Sequence, residues 1–117
     1  MLRLRRLMKS FGYARRGLVK VAKEEQNFRL ELLAGLAVVV LGLYLRISYQ
    51  DWAILILAIG LVLCLEIVNT VAELISDAVQ PKLSQYAKHI KDIVAAGVLV
   101  AAGVAAVVGV TVFSHYF

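Results

Sequence analysis

Residues 93–113 read IVAAGVLVAAGVAAVVGVTVF, twenty-one consecutive residues without a charge. At roughly 1.5 Å per helical residue, such a run crosses a hydrocarbon core of about 30 Å. Two shorter runs precede it. Residues 32–45 are fourteen uncharged residues, and they reach spanning length once Leu30, Ile47 and the snorkelling ends of Glu31 and Arg46 are included. Residues 52–65 are another fourteen, and helix-permissive sequence continues through 66–79 with charges but no Gly or Pro. The single proline, Pro81, ends it, because proline cannot continue a helix. The expected spans are 30–47, 52–79 with an extension beyond the bilayer, and 93–113.

Composition agrees. Of 117 residues, 62% are hydrophobic, whereas soluble chains sit near roughly 45–50%. Yet thirteen Lys/Arg and eight Asp/Glu remain, a net charge of +5. The length allows one domain, 1–117, and is too short for a large transporter. One cysteine, Cys64, excludes a disulfide framework and a four-cysteine metal site. His89 and His115 lack partner ligands and read as surface residues, and Cys64 reads as a small packing residue.

Residues 1–29 differ from the rest. Leu4, Leu7, Phe11, Ala14, Leu18 and Val21 recur at spacings of three and four, one stripe of a helix. Arg3, Arg5, Arg6, Lys9, Arg16, Lys20 and Lys23 take most of the remaining surface. An apolar stripe with a basic face describes a helix lying in the headgroup plane of an anionic leaflet, and not a nucleic-acid-binding element.

Charge also sets orientation. Residues 1–31 carry nine Lys/Arg against three Glu, and the remainder four against five acids. By the positive-inside rule the N-terminus and the 80–91 connection face the cytoplasm, and the C-terminus lies outside. Seven of the eight carboxylates then meet at the cytoplasmic face, with Asp51 alone outside. Trp52, Tyr44, Tyr49, Tyr116 and Phe117 form an aromatic belt at the outer interface. The reading is an all-α membrane protein with an amphipathic surface helix and three spans, N-in and C-out.

On the second span Glu66, Asn69, Glu73 and Asp77 are spaced three, four and four apart. At about 100° per residue they share one narrow stripe, with Thr70 at its edge. Glu66 comes roughly 21 Å into the span, where an ionisable group is costly and is a functional candidate. Hydrogen-bonded glue between helices would need only Asn or Thr, not several carboxylates in register. Two carboxylates can hold Mg²⁺ while the metal keeps waters and phosphates. A further carboxylate can act as base towards an alcohol, and a lysine can neutralise a polyphosphate. These parts suit phosphoryl transfer. Neither a P-loop nor G-x-G-x-x-G is present. A proton-coupled exporter and a holin-like pore are the alternatives. The first usually has four spans and an isolated acid, and the second has no need of Glu66, Asn69 and Glu73 in register.

The stretch Glu66-Ile-Val-Asn69-Thr70-Val71-Ala72-Glu73 resembles the E-x-x-N-[ST]-x-x-E signature of the bacterial integral-membrane diacylglycerol kinase and undecaprenol kinase family. Lys91-Asp92 followed by Ala95, Ala96 and Gly97 resembles that family's second motif. Glu25-Gln26-Asn27-Phe28-Arg29 resembles the stretch before its first span, and residues 10–17 its surface helix. Val71-Ala72 replaces the usual Ala-Ile order and Val94 a small residue; the polar positions are intact.

The resemblance implies a homotrimeric, ATP-dependent lipid kinase of the bacterial inner membrane with its active site facing the cytoplasm. It implies that Glu66 takes the proton from the lipid hydroxyl and that Asn69 orients the site. Glu25 and Glu73 would hold Mg²⁺ on the ATP phosphates. Lys91 and Asp92 would contact the nucleotide, with help from Arg6 and Tyr13, and Phe28, Arg29 and Glu31 would approach the lipid. The phosphate acceptor it implies is the hydroxyl of diacylglycerol or undecaprenol.

Overall fold

The computed structural model describes residues 3–79, 81–82 and 84–117 and consists of four helices. They are α1 (Leu4–Glu24), α2 (Gln26–Leu45), α3 (Tyr49–Val79) and α4 (Ser84–Ser114). Three of them, α2, α3 and α4, are long and apolar enough to cross a membrane. Each runs past its apolar core. α3 begins before Trp52 and α4 before Ile93, because helix needs only backbone continuity whereas hydropathy falls at the first Lys or Asp.

α3 and α4 pack against each other along most of their length, α2 lies mainly against α3, and α1 meets α2 at its final turn. Val21 is the only buried residue of α1. Two close approaches of α2 to α3 fall at glycines. A Cβ on Gly35 would come within 3.1 Å of Ile59 Cγ2, and one on Gly42 within 2.8 Å of Trp52 Cη2. Gly42 thus makes room for the indole. Trp52 is half-buried against α2 as well as standing at the helix end.

α2 stops at Arg46, which adopts the left-handed conformation at φ 53° and ψ 55°. The amides of Arg46 and Ile47 both reach the Gly42 carbonyl, satisfying the last turn as a glycine C-cap would. The reversal sends Ile47 inward, where it packs with Leu55 and Val112 in the main buried cluster of this end. Ser48 then caps α3, its Oγ accepting from the Asp51 amide at 3.2 Å. The Tyr116 hydroxyl enters this cap. It accepts from the Ser48 amide at 3.0 Å and donates to Asp51 Oδ2 at 2.6 Å, tying the end of α4 to the α2–α3 connection.

At the opposite end Ser76, fully buried, donates from Oγ to the Ala87 carbonyl at 3.2 Å and fixes the register of α3 against α4. Elsewhere the spans keep wide apolar faces on their surface. Leu57, Leu99 and Val110 are each more than 70% exposed. Faces of this kind are covered by lipid or by other protein, not by water.

Candidate active site

The α3 stripe lies at the end of the bundle where α1 joins α2. Glu66 is 3% exposed, buried where α3 faces α2 and α4. Thr70 Oγ1, also buried, donates to the main-chain carbonyl of Glu66 at 3.1 Å. One turn on, Asn69 Nδ2 donates to Glu73 Oε1 at 3.3 Å. The Asn69 amide thus restrains the Glu73 carboxylate.

Glu66 and Asn69 share a cleft of about 430 Å³ with Asn27, Leu30 and Glu31 of α2; its far wall is α4, at Ala95, Val98, Leu99 and Ala102. Small residues on α4 keep that wall back. Glu31 Oε2 is buried and has no hydrogen-bond partner among the described residues. Glu25, Glu31 and Glu73 all lie within electrostatic reach of Glu66. Among the described residues no cation pairs with any of these four carboxylates, the ion pair present being Lys91 Nζ to Asp77 Oδ1 at 3.6 Å. Converging negative charges without a counter-charge are costly where water is scarce. The arrangement is one a cation would stabilise.

No group of three His, Cys, Asp or Glu residues is gathered tightly enough to hold a metal alone among the described residues. Mg²⁺ does not require one, because one or two carboxylates suffice when phosphates and water complete its shell. The oxygen donors Glu25 and Glu73, with an orphaned carboxylate oxygen nearby, fit that cation.

A second hollow of about 250 Å³ adjoins the first and shares Glu31 and Ala102 with it. It runs between α2, α3 and α4 and is lined by Gly35, Val38, Leu55, Val62 and Ala105, so it is apolar throughout except at Glu31. The two together make a passage that is carboxylate-rich at one end and hydrocarbon-like at the other.

The remaining sequence candidates divide. Lys91 is half-exposed on α4 and engaged with Asp77, and Asp92 beside it is exposed. Phe28 is 3% exposed and serves as packing at the start of α2. Arg29 turns back: its Nη1 donates to the carbonyls of Ala22 at 2.9 Å and Lys23 at 2.7 Å. Arg6 and Tyr13 stand on α1 and do not line the cleft, and the Tyr13 ring lies 4.9 Å beneath the Arg16 guanidinium. Asn27 lines the cleft and was not singled out from sequence. Its position four residues before Glu31, on the same helix face, is the signal that could have found it. Ser76 and its partner Ala87 carried no such signal.

Residues 12–113 match the family model described as prokaryotic diacylglycerol kinase. An undecaprenol kinase of Bacillus subtilis (strain 168) is 36% identical over 110 residues, covering 94% of this chain and 89% of that protein. A diacylglycerol kinase of Synechocystis sp. is 36% identical over 104 residues, 88% of this chain and 59% of that longer protein. A diacylglycerol kinase of Escherichia coli (strain K12) is 30% identical over 112 residues, 95% of this chain and 92% of that protein.

Proposed function

Since this chain belongs to the prokaryotic diacylglycerol kinase family and is an integral-membrane lipid kinase, we propose that it transfers the γ-phosphate of ATP to the hydroxyl of diacylglycerol or undecaprenol. The observation that carries this reading is the passage joining a carboxylate cluster to an apolar hollow at Glu31 and Ala102. A long-chain alcohol needs both parts, one for its hydroxyl and one for its tail. A holin-like pore needs neither, and a proton-coupled exporter needs one isolated acid rather than a cluster.

Glu66 takes the proton from the lipid hydroxyl as the oxygen attacks the γ-phosphorus, and ADP leaves with the broken β–γ bond's electrons. Its burial keeps water from competing as the nucleophile. Asn69 holds Glu73 in place, and Glu73 with Glu25 holds Mg²⁺. When bound, that ion offsets the charge of the ATP phosphates. Lys91 and Asp92 contact the nucleotide, with help from Arg6 and Tyr13 of α1. Glu31 borders the lipid, whereas Phe28 packs the start of α2.

The basic and apolar residues of α1 support its lying on an anionic leaflet. The excess of Lys and Arg at this end supports N-in, C-out insertion, with the site on the cytoplasmic side of a bacterial inner membrane. The uncovered faces of α2, α3 and α4 support assembly, as a homotrimer.

Incubating the protein with labelled ATP, Mg²⁺ and each lipid in mixed micelles tests the reading. Phosphate should appear on at least one lipid and vanish with EDTA. Failure with both lipids would overturn it.

A further inference from the structure

The last four carbonyls of any helix lack partners within it. At the end of α1 three of them find partners in the joint and in α2. The Val21 carbonyl accepts from the Glu25 amide at 2.8 Å, and those of Ala22 and Lys23 both accept from Arg29 Nη1. A guanidinium there also meets the negative end of the α1 dipole. Between the helices stands one non-helical residue, Glu25, at φ −108° and ψ 109°. Its carbonyl accepts from the Arg29 amide at 3.2 Å. Glu25 is therefore gripped through both its backbone groups, and the Arg29 side chain spans the bend it makes.

A single extended residue leaves two soft dihedrals about which α1 could swing. The Arg29 bonds are charge-assisted and span that joint, so they set its angle. Of the four clustered carboxylates, Glu25 alone sits on the joint and would be displaced by any change in that angle. Arg29 meanwhile commits Nη1 to backbone carbonyls and turns away from the cleft that Glu31 and Glu66 line.

We propose that Arg29 is a positioning residue that locks the α1–α2 bend and so holds Glu25 in place for the metal–nucleotide complex, rather than a contact for the lipid. The role of Glu25 rests on the kinase reading above; the clamp itself does not.

The test compares wild type with Arg29→Gln and Arg29→Lys in detergent micelles. Amide hydrogen exchange over residues 21–29 reads the joint, and initial rates with Mg²⁺, ATP and lipid varied in turn read the site. Arg29→Gln should speed exchange there about tenfold and raise the Mg²⁺ requirement by a similar factor, with the lipid KM within about twofold of wild type. Arg29→Lys, which keeps the cation but not the fork, should recover part of both, and it carries the test if the Gln variant does not fold. Unchanged exchange overturns the clamp. A rise in lipid KM without a change in Mg²⁺ dependence overturns the positioning role. If wild type phosphorylates neither lipid, the kinase reading fails, and the exchange measurement still decides whether Arg29 holds the bend.

Discussion

Asn69 donates a 3.3 Å hydrogen bond from Nδ2 to Glu73 Oε1, so one polar residue of the α3 stripe aims the next, a turn further along. Asn69→Ala removes that restraint. Loss of one hydrogen bond to a charged group at a half-buried position costs about 1–1.5 kcal/mol. The KM for Mg²⁺-ATP should rise about five- to tenfold with little change in lipid KM, measured by initial rates at saturating lipid. A rise in lipid KM alone would contradict the assignment.

Glu66→Gln keeps the shape of the buried side chain and removes its capacity to accept a proton. The rate should fall about 10²–10⁴-fold while lipid binding persists. Single-turnover assays at saturating substrates separate the two. Full activity in this variant removes Glu66 as the base.

Ala102 lies where the polar cleft meets the apolar hollow. Ala102→Leu puts three more carbons at the junction and should raise the KM for a long-chain lipid alcohol well above that for ATP. A short-chain diacylglycerol should be less affected. An equal change for both chain lengths would place the tail elsewhere.

Tyr116→Phe deletes a hydroxyl that bonds both Ser48 and Asp51. The Ser48 amide and the Asp51 carboxylate each lose a partner, at about 1–3 kcal/mol in all. Thermal unfolding in detergent should begin several degrees lower, and kcat measured well below that temperature should stay near wild type, because the clasp lies at the far end from Glu66.

Arg46 holds a left-handed conformation that costs a non-glycine residue roughly 1 kcal/mol. Arg46→Gly should therefore raise the unfolding midpoint, an unusual case of a residue removed from a membrane protein's surface with gain. A lowered midpoint would show that the side chain contributes more than the strained backbone costs.

The three spans were legible because an uncharged run of fourteen to twenty-one residues has few other destinations. That Glu66, Asn69 and Glu73 share one face of α3 was legible for a related reason: spacing on a helix fixes direction, and α3 is regular through all three. Arg29 was not. Its type and position suit lipid phosphate, water or a carbonyl equally, and only the bend at Glu25 brings the α1 carbonyls within reach. Tyr116 looked like a belt residue because its partners Ser48 and Asp51 lie more than sixty residues earlier in the chain. Polar side chains in irregular segments answer to tertiary geometry, which periodicity does not encode.

The hydrogen bonds between helices are unevenly distributed. At the C-terminal end Tyr116 fastens α4 to the α2–α3 connection. At the site end Ser76 joins α3 to α4, and α2 faces α3 through two carboxylates, Glu31 and Glu66, with no cation paired to either among the described residues. A clasp at one tip and two like-charged groups facing each other at the other give the bundle the build of tweezers. Its jaws are α2, carrying Glu31, and the α3–α4 pair, carrying Glu66. On the kinase reading a bulky alcohol enters where these jaws face each other, at the end away from the Tyr116 clasp.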